Sequence, residues 1–366
     1  MTEFELQILD IVQDGFPIVE RPYAAIAEIY RDRYGHTPGS VQSLACHSER
    51  SVSEVEESCF AEQQVFEAVE SLRNEGVIRR LGGVYDTKRL GLVSRLCAGK
   101  VPSVATGAAD DSALEQFAAT VMDIPAITHN YVRSHEYNVW FTVIAESETA
   151  LQSIIEKLCA ETALHDTHAM PALKMFKINT VMSVIEGRKA NVQNSPSVIL
   201  SGAKNLESLS EFDKARIRLL SGNIPHSLTP FTDLFQSVIH SGAKTLEEVL
   251  VSANEDLASK RMRRFGAVLR HQNAGFPCNA MVCFDAGENA ADAGAKLAAN
   301  PHVSHCYERP PFEGFSYNVY GMFHAQSEEE LNGFVHEAVE TLGNPRFAVL
   351  HSLRELKKTS YQYFAG

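Results

Sequence analysis

Apolar positions recur at helical spacing from the start of the chain. Phe4, Leu6, Ile8, Leu9, Ile11 and Val12 in FELQILDIVQ predict a first amphipathic helix. YAAIAEIYRDRY predicts a second. AEQQVFEAVESLRNEG predicts a third that stops at Gly76, a residue suited to ending helices. VIRRLGGVYD then reads as a two-strand wing. The succession returns later in FDKARIRLLSG, TPFTDLFQSVIHSG and TLEEVLVSANEDLASKRMRRFGAV. Three helices and a wing predict a winged helix-turn-helix in each place.

Behind each of these regions the pattern changes to short β-rich runs alternating with helical ones. LVSRLCAGKV, SALEQFAATVMD, ITHNYVR, EYNVWFTVIAES, TALQSIIEKLCAET and MFKINTVMSVIE read as strand, helix, strand, strand, helix, strand. NAMVCFDA, AADAGAKLAAN, VSHCYERP, SYNVYGMFHA, SEEELNGFVHEAVETL and RFAVLHSLREL read the same way. That order is the ferredoxin-like βαββαβ arrangement.

The chain is therefore a tandem duplication. Arg79, Arg80, Gly82, Val84 and Gly91 fall on Arg263, Arg264, Gly266, Val268 and Gly275 at a constant offset of 184. ITHNYVR matches VSHCYER, and EYNVWF matches SYNVYG, in the same order. The expected domains are a winged helix-turn-helix at 1–85, a ferredoxin-like domain at 86–188, a linker at 189–210, a second winged helix-turn-helix at 211–268 and a second ferredoxin-like domain at 269–366. The polar stretch 36–58 reads as an insertion. SVILSGAKNLE nearly recurs as SVIHSGAKTLEE outside the large repeat's offset, and has no structural explanation.

Composition narrows the function classes. The 366 residues are 45% hydrophobic and 22% charged, which is ordinary globular composition. No apolar run approaches the ~18 residues of a membrane span. The first residues are acidic where a secretion signal carries positive charge, so the expectation is a soluble, cytoplasmic protein. Seven cysteines without a CxxC pair argue against a zinc ribbon or a disulfide scaffold and for reduced thiols. The net charge of −13 turns attention to local arginine clusters. The third helix of the first half carries Glu62, Glu67, Glu70 and Glu75 against Arg73. Its counterpart carries Glu247, Glu248, Glu255 and Asp256 against Lys260 and Arg261. Acidic helices are poorly suited to entering a groove lined by phosphates.

A winged helix-turn-helix followed by a ferredoxin-like domain resembles the Lrp/AsnC regulators. The blocks RRLGGVYD, ITHNYVRSHEYNVWFT and KMFKI resemble one subunit of an enzymatic branch, the siroheme decarboxylases. MRRFGAVLRHQNAGF, VSHCYERP, YNVYGMFH and SLRELKKTSYQYF resemble the other subunit. The resemblance covers nearly the whole chain except 36–58 and the linker, and implies a natural fusion of both subunits. It implies a fold of class α+β in which the two halves form an intramolecular pseudo-dimer, with further homo-oligomerisation left open. It also implies removal of the acetate carboxyl groups at ring carbons 12 and 18 of siroheme. The product, 12,18-didecarboxysiroheme, feeds either an alternative haem route or haem d1 synthesis.

Such a substrate is a flat macrocycle with many carboxylates and an iron. Arginine suits it, because its planar fork pairs with both oxygens of a carboxylate. The expected substrate-binding residues are Arg79, Arg80, Arg133, Arg263, Arg264 and Arg309, with Lys100 and Lys357 adding positive charge. On a strand, adjacent side chains point to opposite faces, so one arginine of each Arg-Arg pair is expected at a site. Loss of carbon dioxide leaves a carbanion that must be protonated, and histidine can donate near neutrality. His129 and His305 occupy matching places and are the expected donors. Tyr131 and Tyr307, two residues on and so on the same strand face, are alternative donors or orienting groups. Either histidine is also a candidate axial ligand to the substrate iron. His135, His271 and His324 are further candidates. Tyr137, Tyr317, Asn138, Asn318 and Trp140 read as substrate-binding or equally as core and hairpin residues. No cofactor beyond the substrate's own iron is expected, nor any membrane or nucleic-acid partner. Two other readings stay open: a DNA-binding Lrp/AsnC-type regulator, and a tetrapyrrole sensor without turnover.

Overall fold

The structure, a computed structural model, describes residues 1–35, 54–178, 209–240, 244–270, 273, 275–358 and 363–364. His271, most of the linker at 189–210 and much of the segment 36–58 lie outside the described residues, as do the side chains of 54–60 and 357–358. The chain divides into two compact units, one built from Met1–Asp86 and Ser210–Ala274, the other from Thr87–Thr180 and Gly275–Gly366. Among the described residues no helix is long and apolar enough to cross a membrane.

The first unit holds both helical regions. From the first half come α1 (Glu3–Asp14), α2 (Pro22–Tyr34), α3 (Glu54–Asn74) and strand β1 (Ile78–Tyr85). The second half supplies α6 (Glu211–Ser221), α7 (Pro230–Leu234), α8 (Gln236–His240), α9 (Leu246–Ala258) and β7 (Met262–Leu269). The helix starts are written in the sequence: Thr2 with Glu5, Ser210 with Asp213 and Thr245 with Glu248 each form a capping box that satisfies the first free N–H groups. α3 begins at Glu54, inside the segment expected to be an insertion. The helix expected over 229–242 is divided into α7 and α8.

The wing differs from expectation. VIRRLGGVYD is one strand, not a hairpin, and it pairs antiparallel with β7 of the other half. The lone strand of each half thus completes a ribbon only with its twin. Phe16, Phe231 and Phe265 pack under the ribbon, Phe231 and Phe265 with ring centres 5.6 Å apart. Each such fully buried ring contributes about 1.5–3 kcal/mol.

The second unit is one nine-stranded array. The first half gives β2 (Val93–Lys100), α4 (Ser112–Met122), β3 (Ile127–Arg133), β4 (Val139–Ala145), α5 (Glu148–Glu161), β5 (His165–Met170) and β6 (Lys174–Ile178). The second gives β8 (Cys278–Phe284), α10 (Ala290–Ala299), β9 (Val303–Glu308), β10 (Val319–Ala325), α11 (Glu328–Thr341) and β11 (Phe347–Lys358). The strand order is β5-β2-β4-β3-β11-β8-β10-β9-β6. β5 and β6 stand at its two ends but are consecutive in the chain, so residues 171–173 link the ends.

The two halves exchange their last strands. β11 pairs with β8 through Phe347–His351, then crosses to pair with β3 through Ser352–Lys358. In the first half the same work is divided: β5 pairs with β2, and β6 with β9 of the other half. The ferredoxin-like expectation therefore holds with one strand more than read, β5. The exchange is the intramolecular pseudo-dimer. Each half packs its helices over one sheet face, around Phe117 and Phe141 in one and around Phe323 and Leu331 in the other. A third core joins Tyr137, Trp140, Met281, Cys283, Phe315, Tyr320 and Leu350 from both halves.

Candidate active site

β3 carries His129, Tyr131 and Arg133 at alternate positions, and β9 with the residue after it carries His305, Tyr307 and Arg309. Alternation puts each triplet on one strand face. Both strands then break their ladder at the same place. Against β4, Ile127 faces Val143 and Asn130 faces Phe141, so Thr128 and His129 together oppose one residue. Against β10, Val303 faces Phe323 and His305 faces Met322, with Ser304 the extra residue. Such bulges re-aim side chains. Here they bring a hydroxyl to its neighbour's imidazole: Thr128 Oγ1 is 3.0 Å from His129 Nδ1 and Ser304 Oγ is 2.9 Å from His305 Nδ1. A hydroxyl residue precedes the histidine in both sequence blocks. That signal was available in the sequence and was missed.

Arg133 is buried and Arg309 is half-buried. The Arg133 guanidinium donates to Leu350 O at 3.0 Å and to Ser352 Oγ at 3.1 Å, and lies 5.1 Å from the centre of the Tyr131 ring. Arg309 donates to Met170 O at 2.9 Å and lies 5.1 Å from the Tyr307 ring. Neither has a carboxylate within ion-pair distance among the described residues, and Nε of each is buried without a hydrogen-bond partner. Burial lowers the pKa of both, Arg133 to about 10. Cys283 is near enough to feel both cations, yet burial pushes its thiol well up. A buried cation without a counter-ion is costly unless something compensates it.

The arginine pairs of RRLGG and RRFGA lie in the first unit. Arg80 donates to Ser221 O and to Gly222 O at 3.4 Å, the end of α6. Arg264 donates to Gln13 O, at the end of α1, at 2.6 Å. The last carbonyls of a helix lack intrahelical donors and carry its negative pole, so a guanidinium there acts as a cap. Arg263 pairs with Asp86 at 2.8 Å, and Arg79 is half-buried. The first unit thus holds these four, and the second unit holds the two triplets.

The asparagines share one job. Asn138 bonds Val101 N and Val101 O, and Asn318 bonds Ala286 N and Gly287 O, fixing the segment after β2 and after β8. Tyr137 is buried and donates to Asp166 at 3.0 Å; Trp140 donates to Tyr137 O; Tyr317 packs edge-on to Phe315. Lys100 pairs with Glu136 at 3.1 Å and Asp166 at 3.0 Å, which raises its pKa through those bonds. Of Lys357 only the backbone is described, opposite Asn130. His135 is lowered by burial and accepts from Tyr137 N. His324 Nε2 is 2.8 Å from Ser304 Oγ. His168 is bonded to Asp166, two residues before it, at 2.9 Å and stacked on Phe312, a partner from a distant segment that the sequence does not signal. Among the described residues no group of three or more His, Cys, Asp or Glu could hold a metal ion.

The AsnC-like ligand binding domain matches residues 89–177 and again 273–357, and the siroheme decarboxylase NirDL-like HTH domain matches residues 5–30. The siroheme decarboxylase of Hydrogenobacter thermophilus is 26% identical over 366 residues, 99% of this chain and 95% of that protein. The siroheme decarboxylase beta subunit of Desulfovibrio desulfuricans is 38% identical over 154 residues, 42% of this chain and 94% of that subunit. The crystal structure of the siroheme decarboxylase NirDL, solved in complex with an iron-uroporphyrin III analogue, superposes with a TM-score of 0.63 at 24% identity, over 98% of this chain and 94% of that one. The beta-subunit match covers less than half of this chain, whose ligand-binding domain occurs twice. The chain belongs to the siroheme decarboxylase family, with both homologous halves in one polypeptide.

Proposed function

We propose that this protein is a carboxy-lyase acting on siroheme, removing the acetate carboxyl groups at ring carbons 12 and 18. The observation that carries the reading is the pair of His-x-Tyr-x-Arg triplets, each ending in an arginine whose Nε is buried and unbonded and which has no acidic partner among the described residues. Arg133 and Arg309 bind carboxylates of the substrate, the guanidinium held in place by a backbone carbonyl and a tyrosine ring. Each reaction breaks the bond between methylene carbon and carboxylate. Carbon dioxide leaves, the electron pair stays on the methylene carbon beside the pyrrole, and one proton turns it into a methyl group. His129 and His305 supply that proton, and Tyr131 and Tyr307 orient the reacting group. A histidine serving instead as axial ligand to the substrate iron would leave its tyrosine as donor. The substrate brings its own iron, the protein needs no further cofactor, and it works in the cytoplasm.

A DNA-binding role finds little support in the charges. Arg73, the cation of α3, is buried and donates to Asn223 and Ile224 O, while Asp256 of α9 binds Arg216 and Arg261 internally. Few cations are left on these helices to neutralise phosphates. The test is anaerobic incubation of the purified full chain with siroheme. Release of carbon dioxide with two carboxylates lost is expected. Unchanged siroheme in the presence of folded protein would refute it, and binding without turnover would indicate a tetrapyrrole sensor.

A further inference from the structure

The two bulges differ in what stands across from them. Ser304 Oγ lies 2.9 Å from His305 Nδ1 and 2.8 Å from His324 Nε2, so one hydroxyl joins two imidazoles. The strand registers place Trp140 opposite Tyr131 and Tyr320 opposite Tyr307. Counting along β4 and β10 from those anchors, Ile144 occupies in the first half the place of His324 in the second. Thr128 keeps the hydroxyl beside His129, but the residue matched to the second imidazole is a hydrocarbon.

We propose that Ser304 and His324 form a proton relay that loads His305, and that the His129 side lacks it, so the two decarboxylations draw on different proton supplies. This rests on His305 as a proton donor. In the loaded state His324 is an imidazolium whose Nε2–H donates to Ser304 Oγ. The Ser304 hydroxyl donates to Nδ1 of a neutral His305 that carries its proton on Nε2. When the carboxylate leaves as carbon dioxide, the methylene carbon takes the Nε2 proton, Nδ1 takes the hydroxyl proton, and Ser304 takes the proton of His324. One proton has passed from His324 to carbon, and both imidazoles end neutral. Met322 O, 3.3 Å from Ser304 Oγ, is the alternative acceptor that opens the wire. Other titratable or charged groups on these strands are His302, Cys306, Tyr307, Glu308 and Arg309 at β9, Lys174 and Lys177 on β6, Cys278 and Cys283 on β8, and Tyr320 on β10 itself. Ser304 and His324 are positioning residues in this scheme, since they act through His305.

The experiment follows single turnover of siroheme by the full chain, with mass spectrometry resolving none, one and two losses of carbon dioxide. Ser304→Ala and His324→Ile are expected to slow one of the two losses about tenfold or more, within the range of general acid catalysis, and to leave the other near its wild-type rate. Ser304→Thr, which restores the hydroxyl found at Thr128, is expected to recover the slowed step. Equal slowing of both losses, or no slowing by Ser304→Ala, overturns the relay. Ring ¹⁵N titration of the histidines gives a readout independent of turnover. Ser304→Ala should shift the titration of His324, and Ser304→Thr should restore it; a His324 titration indifferent to Ser304→Ala refutes the proton link. A wild-type chain that leaves siroheme intact overturns the decarboxylase reading, and the titration then decides the proton link by itself.

Discussion

Gly82 lies directly opposite Gly266 in the β1–β7 ribbon, and each glycine is pressed against the end of the other half's first helix. A Cβ on Gly266 would come 2.6 Å from Val12 O, and one on Gly82 would run into Gly222 O. Backbone oxygens at helix ends cannot swing aside as a side chain can. Gly82→Ala and Gly266→Ala are therefore each expected to cost about 1–3 kcal/mol, the usual range for overpacking. Thermal unfolding should show a lowered midpoint for both. A midpoint within error of wild type would mean that the ribbon and helix ends separate easily.

The ribbon also shows how far sequence carries the reading. The Gly82–Gly266 correspondence is visible in the repeat, yet it suggests two independent wings. Hydrophobic alternation reports that a strand exists and not which strand it pairs with, so the pairing of β1 with β7 had no local signal. The same limit hid β5: HDTHAM lacks an apolar alternation, and only Met170 in it is buried. The triplets around Arg133 and Arg309 were legible because duplication repeats them. The role of Arg80 and Arg264 was not, since a helix cap from a distant segment and a substrate clamp call for the same side chain.

Asn130 is fully buried on β3, with neither Oδ1 nor Nδ2 hydrogen-bonded among the described residues. The matching position on β9 is Cys306, which packs in the helix-side core of the second half. An unsatisfied buried amide costs about 1–3 kcal/mol. Asn130→Cys should raise stability by an amount of that order, read as a higher urea midpoint with an unchanged slope. Loss of stability would mean that the amide meets a partner after all, an internal water for example.

With Arg133 read as a substrate-binding residue, its charge is a cost to the fold that the ligand offsets. Its pKa is lowered to about 10 by burial, so the charged form is disfavoured in the folded state. The penalty is complete below about pH 10 and fades as the pH climbs from there toward the higher pKa of the unfolded chain. Arg133→Met keeps the volume and removes the charge, so the variant should be at least as stable as wild type at neutral pH. That advantage should shrink above about pH 10. Siroheme affinity should fall about tenfold or more, since a charge-assisted hydrogen bond is worth about 1.5–3 kcal/mol. Denaturant titrations at several pH values and a binding isotherm separate the two effects; tight binding by the variant would remove Arg133 from the site.

His129 and His305 stand at matched bulges, each with Nδ1 turned to a neighbouring hydroxyl. If each serves one acetate, His129→Ala and His305→Ala will stall at different singly decarboxylated products, and the double variant will leave both acetates in place. Positioned acid catalysis contributes about 10²–10⁴-fold, so each stalled step should slow by that order while the other proceeds. Separation of the two monodecarboxylated isomers is the decisive measurement, because total carbon dioxide alone would not tell one half-active site from two weakened ones. Identical isomers from both variants would place the two histidines around a single reacting acetate. Unimpaired double decarboxylation by both would pass the donor role to Tyr131 and Tyr307, whose rings lie 5.1 Å from the Arg133 and Arg309 guanidinium groups.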